Sequence, residues 1–122
     1  MRPPSVLLLL APAAAGLAGC THDEVARVGG RSVAIVQRDY RLDPQDLSVP
    51  HGRVTFRVRN ASKGPHNFVV RSASGPRRGR LATLEPGESG KLRVRLRRGT
   101  YTMYCAIGHH EQLGEHGTIE VR

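Results

Sequence analysis

Two short stretches of this chain alternate strictly between apolar and polar or cationic residues, and that alternation restricts them to half-buried β-strands. In the run from Arg53 to Arg59, Val54, Phe56 and Val58 alternate with Arg53, Thr55, Arg57 and Arg59; in the run from Lys91 to Arg97, Leu92, Val94 and Leu96 alternate with Lys91, Arg93, Arg95 and Arg97. Successive side chains of an extended chain point to opposite faces, so each run has one apolar face and one cationic face. Shorter runs of the same kind predict strands at Val33 to Arg38, around Leu47 to Val49, and at His66 to Arg71, Arg80 to Leu84, Thr100 to Cys105 and Gly117 to Val121. Turn signals separate nearly all of them: Pro50-His51-Gly52, Asn60 to Pro65, Ser74-Gly75-Pro76, Glu85-Pro86-Gly87 and Arg98-Gly99. No long amphipathic helix is predicted, and the segment around Arg77 and Arg78 reads as an exposed loop. About seven or eight short strands at this spacing predict an all-β, antiparallel sandwich or barrel.

With 122 residues the chain has room for one domain. Residues 1–19 stand outside its core: Arg2 gives a positive start, Val6 to Leu10 begin an apolar stretch, and small residues follow to Gly19, the pattern of a secretion signal. Pro12 and Gly16 interrupt it, so it is too short to span a bilayer, which takes about 20 consecutive apolar residues. Its end, Leu17-Ala18-Gly19-Cys20, resembles the lipobox of bacterial lipoproteins. That resemblance implies lipidation of Cys20, anchoring to the cell membrane, and exposure to the periplasm or cell exterior. Residues 20–32 are polar with a Gly pair and read as a tether, leaving 33–122 as the folded domain.

The formal charge is +9, and all but two of the 19 cationic residues are arginine. Such a balance invites a nucleic-acid reading, since cationic side chains neutralise phosphates, but the export signal argues against that partner. Solvated outer faces of strands account for most of the arginines; anionic headgroups or an acidic partner protein are the functional reading.

Cysteine usage narrows the chemistry further. Only Cys20 and Cys105 are present, so lipid on Cys20 would leave Cys105 a lone thiol in an oxidising compartment. It is either a buried inert thiol or a metal ligand. Strand parity puts His66 with Phe68 and Val70, and Cys105 with Tyr101 and Met103, so both point inward at strand ends. The loop after Cys105 carries His109, His110 and His116, half of the six histidines. A soft thiolate with two imidazoles suits copper. Zinc also accepts Cys and His, but closed zinc sites use four strong ligands, and the domain offers one cysteine. His51, in a turn, and His22, in the tether, read as surface residues. No paired carboxylates, Ser-His-Asp arrangement or phosphate loop is recognisable, so no catalytic activity is expected.

From about Tyr40 onward the chain resembles the cupredoxins. Asn60-Ala61-Ser62-Lys63-Gly64-Pro65-His66-Asn67-Phe68 is similar to the segment that supplies that family's first histidine, and Tyr104-Cys105-Ala106-Ile107-Gly108-His109-His110 to its second ligand loop. The resemblance implies a Greek-key β-sandwich with one copper ion held by His66, Cys105 and His110, the last preferred to His109 because the family's histidine falls five residues after the cysteine. An axial methionine is expected five residues further on, before a Gly-Thr that opens the last strand. Glu115 occupies that position, with Gly117-Thr118 following, and His116 is the alternative fourth ligand. Met103 reads as core. The implied function is one-electron transfer, with copper capture, storage or delivery outside the cytoplasm as the alternative. The implied partner is a redox protein or a copper-receiving enzyme, an acidic one suiting the basic charge.

Overall fold

The computed structural model describes residues 24–122; the signal at 1–19, Cys20 and His22 lie outside the described residues. Ten strands follow one another: β1 (Ala26–Arg27), β2 (Ser32–Arg38), β3 (Arg41–Asp43), β4 (Leu47–Val49), β5 (Gly52–Asn60), β6 (His66–Ser72), β7 (Arg77–Leu84), β8 (Ser89–Leu96), β9 (Gly99–Tyr104) and β10 (His116–Val121). They form two sheets, one of six strands in the order β1-β4-β10-β9-β6-β7 and one of four in the order β3-β2-β5-β8. Among the described residues, no helix is long and apolar enough to cross a membrane.

The alternating runs behave as their period requires. On β5, Val54, Phe56 and Val58 are buried while Arg53, Arg57 and Arg59 are exposed; on β8, Leu92, Val94 and Leu96 are buried while Lys91, Arg93 and Arg95 are exposed. The inward residues of the two sheets form one core, and the rings of Phe56 and Phe68 meet across it at 5.4 Å. Sheets with one dry and one wet face are stabilised by this interlayer burial. Met103 lies fully buried in that core.

Three features differ from the sequence reading. The strands number ten, and the pairings β1–β4, β4–β10 and β2–β5 are parallel, so the sandwich is mixed. The segment expected as tether contains β1, held by Ala26 N–H to Asp46 O (2.9 Å) and Val28 N–H to Ser48 O (2.8 Å). The expected loop around Arg77 and Arg78 is the first part of β7, which pairs with β6. β1 and β7 are edge strands formed by backbone pairing, which leaves little alternation of apolar residues to read, and the parallel pairings depend on which strands meet, not on the pattern along any one of them.

One glycine controls how the layers close. A Cβ on Gly117 in β10 would lie 1.6 Å from the Gln45 carbonyl oxygen, so no other residue lets the β3–β4 connection pass β10 at this distance.

Candidate metal centre

The register of the six-stranded sheet gathers the chemistry at one end of the sandwich. His66 opens β6, and Cys105 follows the last residue of β9. Those strands are antiparallel neighbours with Val69 opposite Tyr104, which brings the end of β9 toward the start of β6. His116, at the start of β10, pairs with Tyr104, so the loop 105–115 returns to the same end. Ligand atoms of His66, Cys105, His110 and Glu115 all lie within 4.8 Å of one another. His66 Nδ1 is 2.6 Å from Glu115 Oε2, His110 Nδ1 is 3.4 Å from the same oxygen, and Cys105 Sγ is 3.5 Å from His110 Nδ1. His66, Cys105 and Glu115 are fully buried, whereas the His110 side chain is 18% exposed. His109, His116 and His51 are exposed, and none belongs to the group.

A profile of the cupredoxin-like domain matches residues 6–121. The chain belongs to that family. Solved structures similar to this cupredoxin include auracyanin from Roseiflexus castenholzii in its dithionite-reduced form (TM-score 0.69, 20% identity, covering 76% of this chain and 98% of that one). Rusticyanin from Thiobacillus ferrooxidans is similar at TM-score 0.66 and 18% identity, over 85% of each chain. A purple cupredoxin from Nitrosopumilus maritimus is similar at TM-score 0.59 and 22% identity, over 74% of this chain and 99% of that one. At these identities the likeness is one of fold. No curated protein matches the sequence. In a cupredoxin, the His, Cys, His group points to one copper ion.

The donor set fits that ion on the structure's own terms. Glu115 Oε1 is buried with no hydrogen-bond partner, and it belongs to the carboxylate that groups with two imidazoles and a thiol. Burial pushes the Cys105 thiol up to about 11, with the nearby Glu115 carboxylate adding to the effect. Burial also raises Glu115, to about 7, against the opposing pull of His66. Burial lowers His110, and the charge on His66 lowers it further. The metal-free cluster therefore favours a protonated Cys105 thiol and a neutral His110, and a cation binding the thiolate displaces a proton.

Neighbouring groups hold the donors in place. Asp39, between β2 and β3, accepts the His66 Nε2 proton at 2.9 Å, and this hydrogen bond keeps its own carboxyl below the usual range. An ionised carboxylate only accepts, so Nε2 carries the proton and Nδ1 is left to face the cluster. Asn60 Nδ2 donates to Gly64 O and Leu84 O, while its Oδ1 accepts from Ser62, which shapes the turn that delivers His66. Asn67 Oδ1 accepts from Ala106 N–H at 2.7 Å, and Gln37 Nε2 donates to Asn67 O at 2.8 Å, tying the loop after Cys105 to β6 and β2. Within the loop, Cys105 N–H donates to Glu115 O and Glu115 N–H to His110 O. Arg71 pairs with Glu111 of that loop and lies 4.1 Å above the Tyr104 ring. Tyr40 places its ring 4.7 Å from that of His110.

The sequence reading missed Gln37, Asp39 and Asn67. Gln37 had a visible signal, a polar residue at an inward position of β2; Asp39 had none, because its partner is 27 residues away.

Proposed function

We propose that this chain is an exported, membrane-tethered copper protein that carries single electrons. The observation that carries the reading is the convergence of His66, Cys105, His110 and Glu115 at one end of a rigid sandwich, with three of the four fully buried. Copper bound there would supply a one-electron couple between Cu(II) and Cu(I). The protein's own part is to hold the donors still: strands β6, β9 and β10 fix three sides of the cluster, Asp39 orients the His66 ring, and Asn67 and Arg71 fasten the ligand loop. A preset donor geometry suits electron transfer, because little rearrangement accompanies a change of oxidation state. His110 reaches solvent, so a redox partner, an acidic one suiting the basic charge, would meet the molecule at its edge. The signal at 1–19 and the lipobox-like Cys20 support export and anchoring of this domain to the cell membrane.

The test is the visible spectrum of Cu(II)-loaded protein. An intense thiolate-to-copper charge-transfer band is expected, and Cys105→Ser removes it; a band unchanged in that variant overturns the assignment.

Copper capture or delivery is the second reading. It is favoured by Glu115, a hard carboxylate where a soft methionine is usual, which shifts preference away from Cu(I). Loss of copper to a chelator within seconds, without a reversible voltammetric wave, would select delivery over electron transfer.

A further inference from the structure

The outer face of the four-stranded sheet carries charges that the copper reading leaves unexplained. Strands β2, β5 and β8 contain Arg38, Arg53, Arg57, Arg59, Lys91, Arg93 and Arg95 and not one Asp or Glu; the sheet's one exposed carboxylate, Asp43, lies on the edge strand β3 beside Val36. Their register sets like charges directly opposite each other, Arg53 against Arg95 and Arg57 against Lys91. Like charges in that position are destabilising. Among the described residues none of these seven is paired with a carboxylate; Arg57 Nε donates to the neutral Ser32 Oγ at 3.1 Å. Between the cationic rows runs a shallow groove of about 410 Å³ whose lining includes Ala34, Val36 and Gly90, edged by Arg57, Arg59 and Lys91.

We infer that this sheet face docks flat on a bilayer surface of anionic phospholipid headgroups. Charge complementarity sets the sign of the occupant. The shape of the array sets its kind: the cations are spread evenly along roughly 20 Å of strand, at strand and pleat spacing. The face carries no aromatic or methionine side chain of the sort that anchors the core of a protein–protein interface. A delocalised array without an anchor matches a fluid surface whose headgroups move to meet it, each basic side chain strengthening binding by roughly fivefold. Asn60 and Ser89, at the cluster end of β5 and β8, lie on the same sheet, so docking lays the strands along the membrane and turns the metal end sideways. The inference is independent of which metal, if any, the cluster holds.

The experiment measures vesicle binding of the full chain carrying Cys20→Ser, so that no lipid at that position contributes, on phosphatidylcholine vesicles with and without 30% phosphatidylglycerol, a composition set for the assay. Binding to the anionic vesicles only, weakening steeply with salt, is expected. Arg53→Gln, Arg57→Gln, Lys91→Gln and Arg95→Gln together reduce it on the order of a hundredfold or more, while the same charge removed at Arg27, Arg77, Arg80 and Arg98 costs less than tenfold. The pair Arg57→Gln with Lys91→Gln alone gives a smaller loss in the same direction, and a melting curve shows both face variants at least as stable as the parent. Equal binding to neutral vesicles, equal loss in the two fourfold variants, or binding to soluble poly-glutamate but not to anionic vesicles each overturns the inference, the last by naming an acidic protein as the partner.

Discussion

At the metal end of the sandwich, His66, Asn60 and Glu115 are fully buried and nearly every polar atom meets a partner, whereas on the outer face of β5 and β8 Arg53 stands opposite Arg95 and Arg57 opposite Lys91 with no carboxylate between them. The metal end is built on the ends of β6, β9 and β10 and the loop before β10, the basic face on β2, β5 and β8 of the other sheet. The difference lies in solvent: a buried charge or lone pair must be met within the fold, while an exposed cation is hydrated and tolerates a like neighbour at modest cost. Glu115 Oε1 is an exception at the metal end, on the carboxylate that groups with His66, Cys105 and His110. Removing a group from the metal end should therefore destabilise, and removing one from the basic face should not.

The largest effect is expected at the junction that lets the metal end close. Gly117→Ala puts a methyl group on the Gln45 carbonyl, and the cost should be about 3 kcal/mol or more, read as a lowered denaturant midpoint or loss of folded protein. A midpoint unchanged from the parent would show that the β3–β4 connection yields easily.

Next comes the pH dependence of the metal-free protein. In the folded state Glu115 holds its proton to about 7, whereas an unfolded carboxyl releases it near 4.5. The folded state binds the extra proton between those values, so this contribution is complete below about 4.5 and is lost as pH rises through about 7. The decline should be on the order of 3 kcal/mol, and Glu115→Gln should flatten it. Urea midpoints across that range decide the matter; equal slopes in parent and variant would remove Glu115 as the cause.

A smaller effect belongs to Asp39, which touches His66 from the solvent side. Asp39→Ala should weaken Cu(II) binding by about tenfold to a hundredfold and raise the reduction potential, because the imidazole loses the acceptor that makes it a stronger donor. Asp39→Glu should restore part of both. Competition titration and voltammetry check this, and an unchanged potential would make the contact merely structural.

The smallest effect has the opposite sign. Lys91→Glu places a carboxylate opposite Arg57 and should stabilise the protein by about 0.2–1 kcal/mol, with the gain fading in high salt. A loss of stability there would mean that the basic face is held by contacts of its own.

Much of the sandwich was legible from alternation. β4 was expected at Leu47–Val49 and occupies that span, and β5 and β8 are found where the Arg-rich runs lie. β1 and β3 were not anticipated: a two-residue and a three-residue strand are made by backbone pairing with β4 and β2, and leave no period to detect. The first part of β7 was hidden for a related reason, since Arg77, Arg78 and Arg80 are exposed at a sheet edge. At the cluster, parity turned His66 and Cys105 inward and the resemblance to the cupredoxins implied His110 as their partner, yet whether Glu115 or His116 turned inward was open between adjacent residues. Asn67 and Asp39 hold the site across 39 and 27 residues of sequence, distances over which no local pattern operates.

The sequence by itself determined the strand period, the inward direction of His66 and Cys105 and the cationic outer rows, because these follow from a side-chain alternation that any extended chain must obey. Tertiary structure alone decided that Glu115 is fully buried while His116 is exposed, that Asp39 rather than solvent meets the far side of His66, and that Arg53 faces Arg95. Those outcomes depend on which strand ends and loops are brought together. That is set by the burial of the whole core and the register of ten strands, not by any stretch of chain read alone.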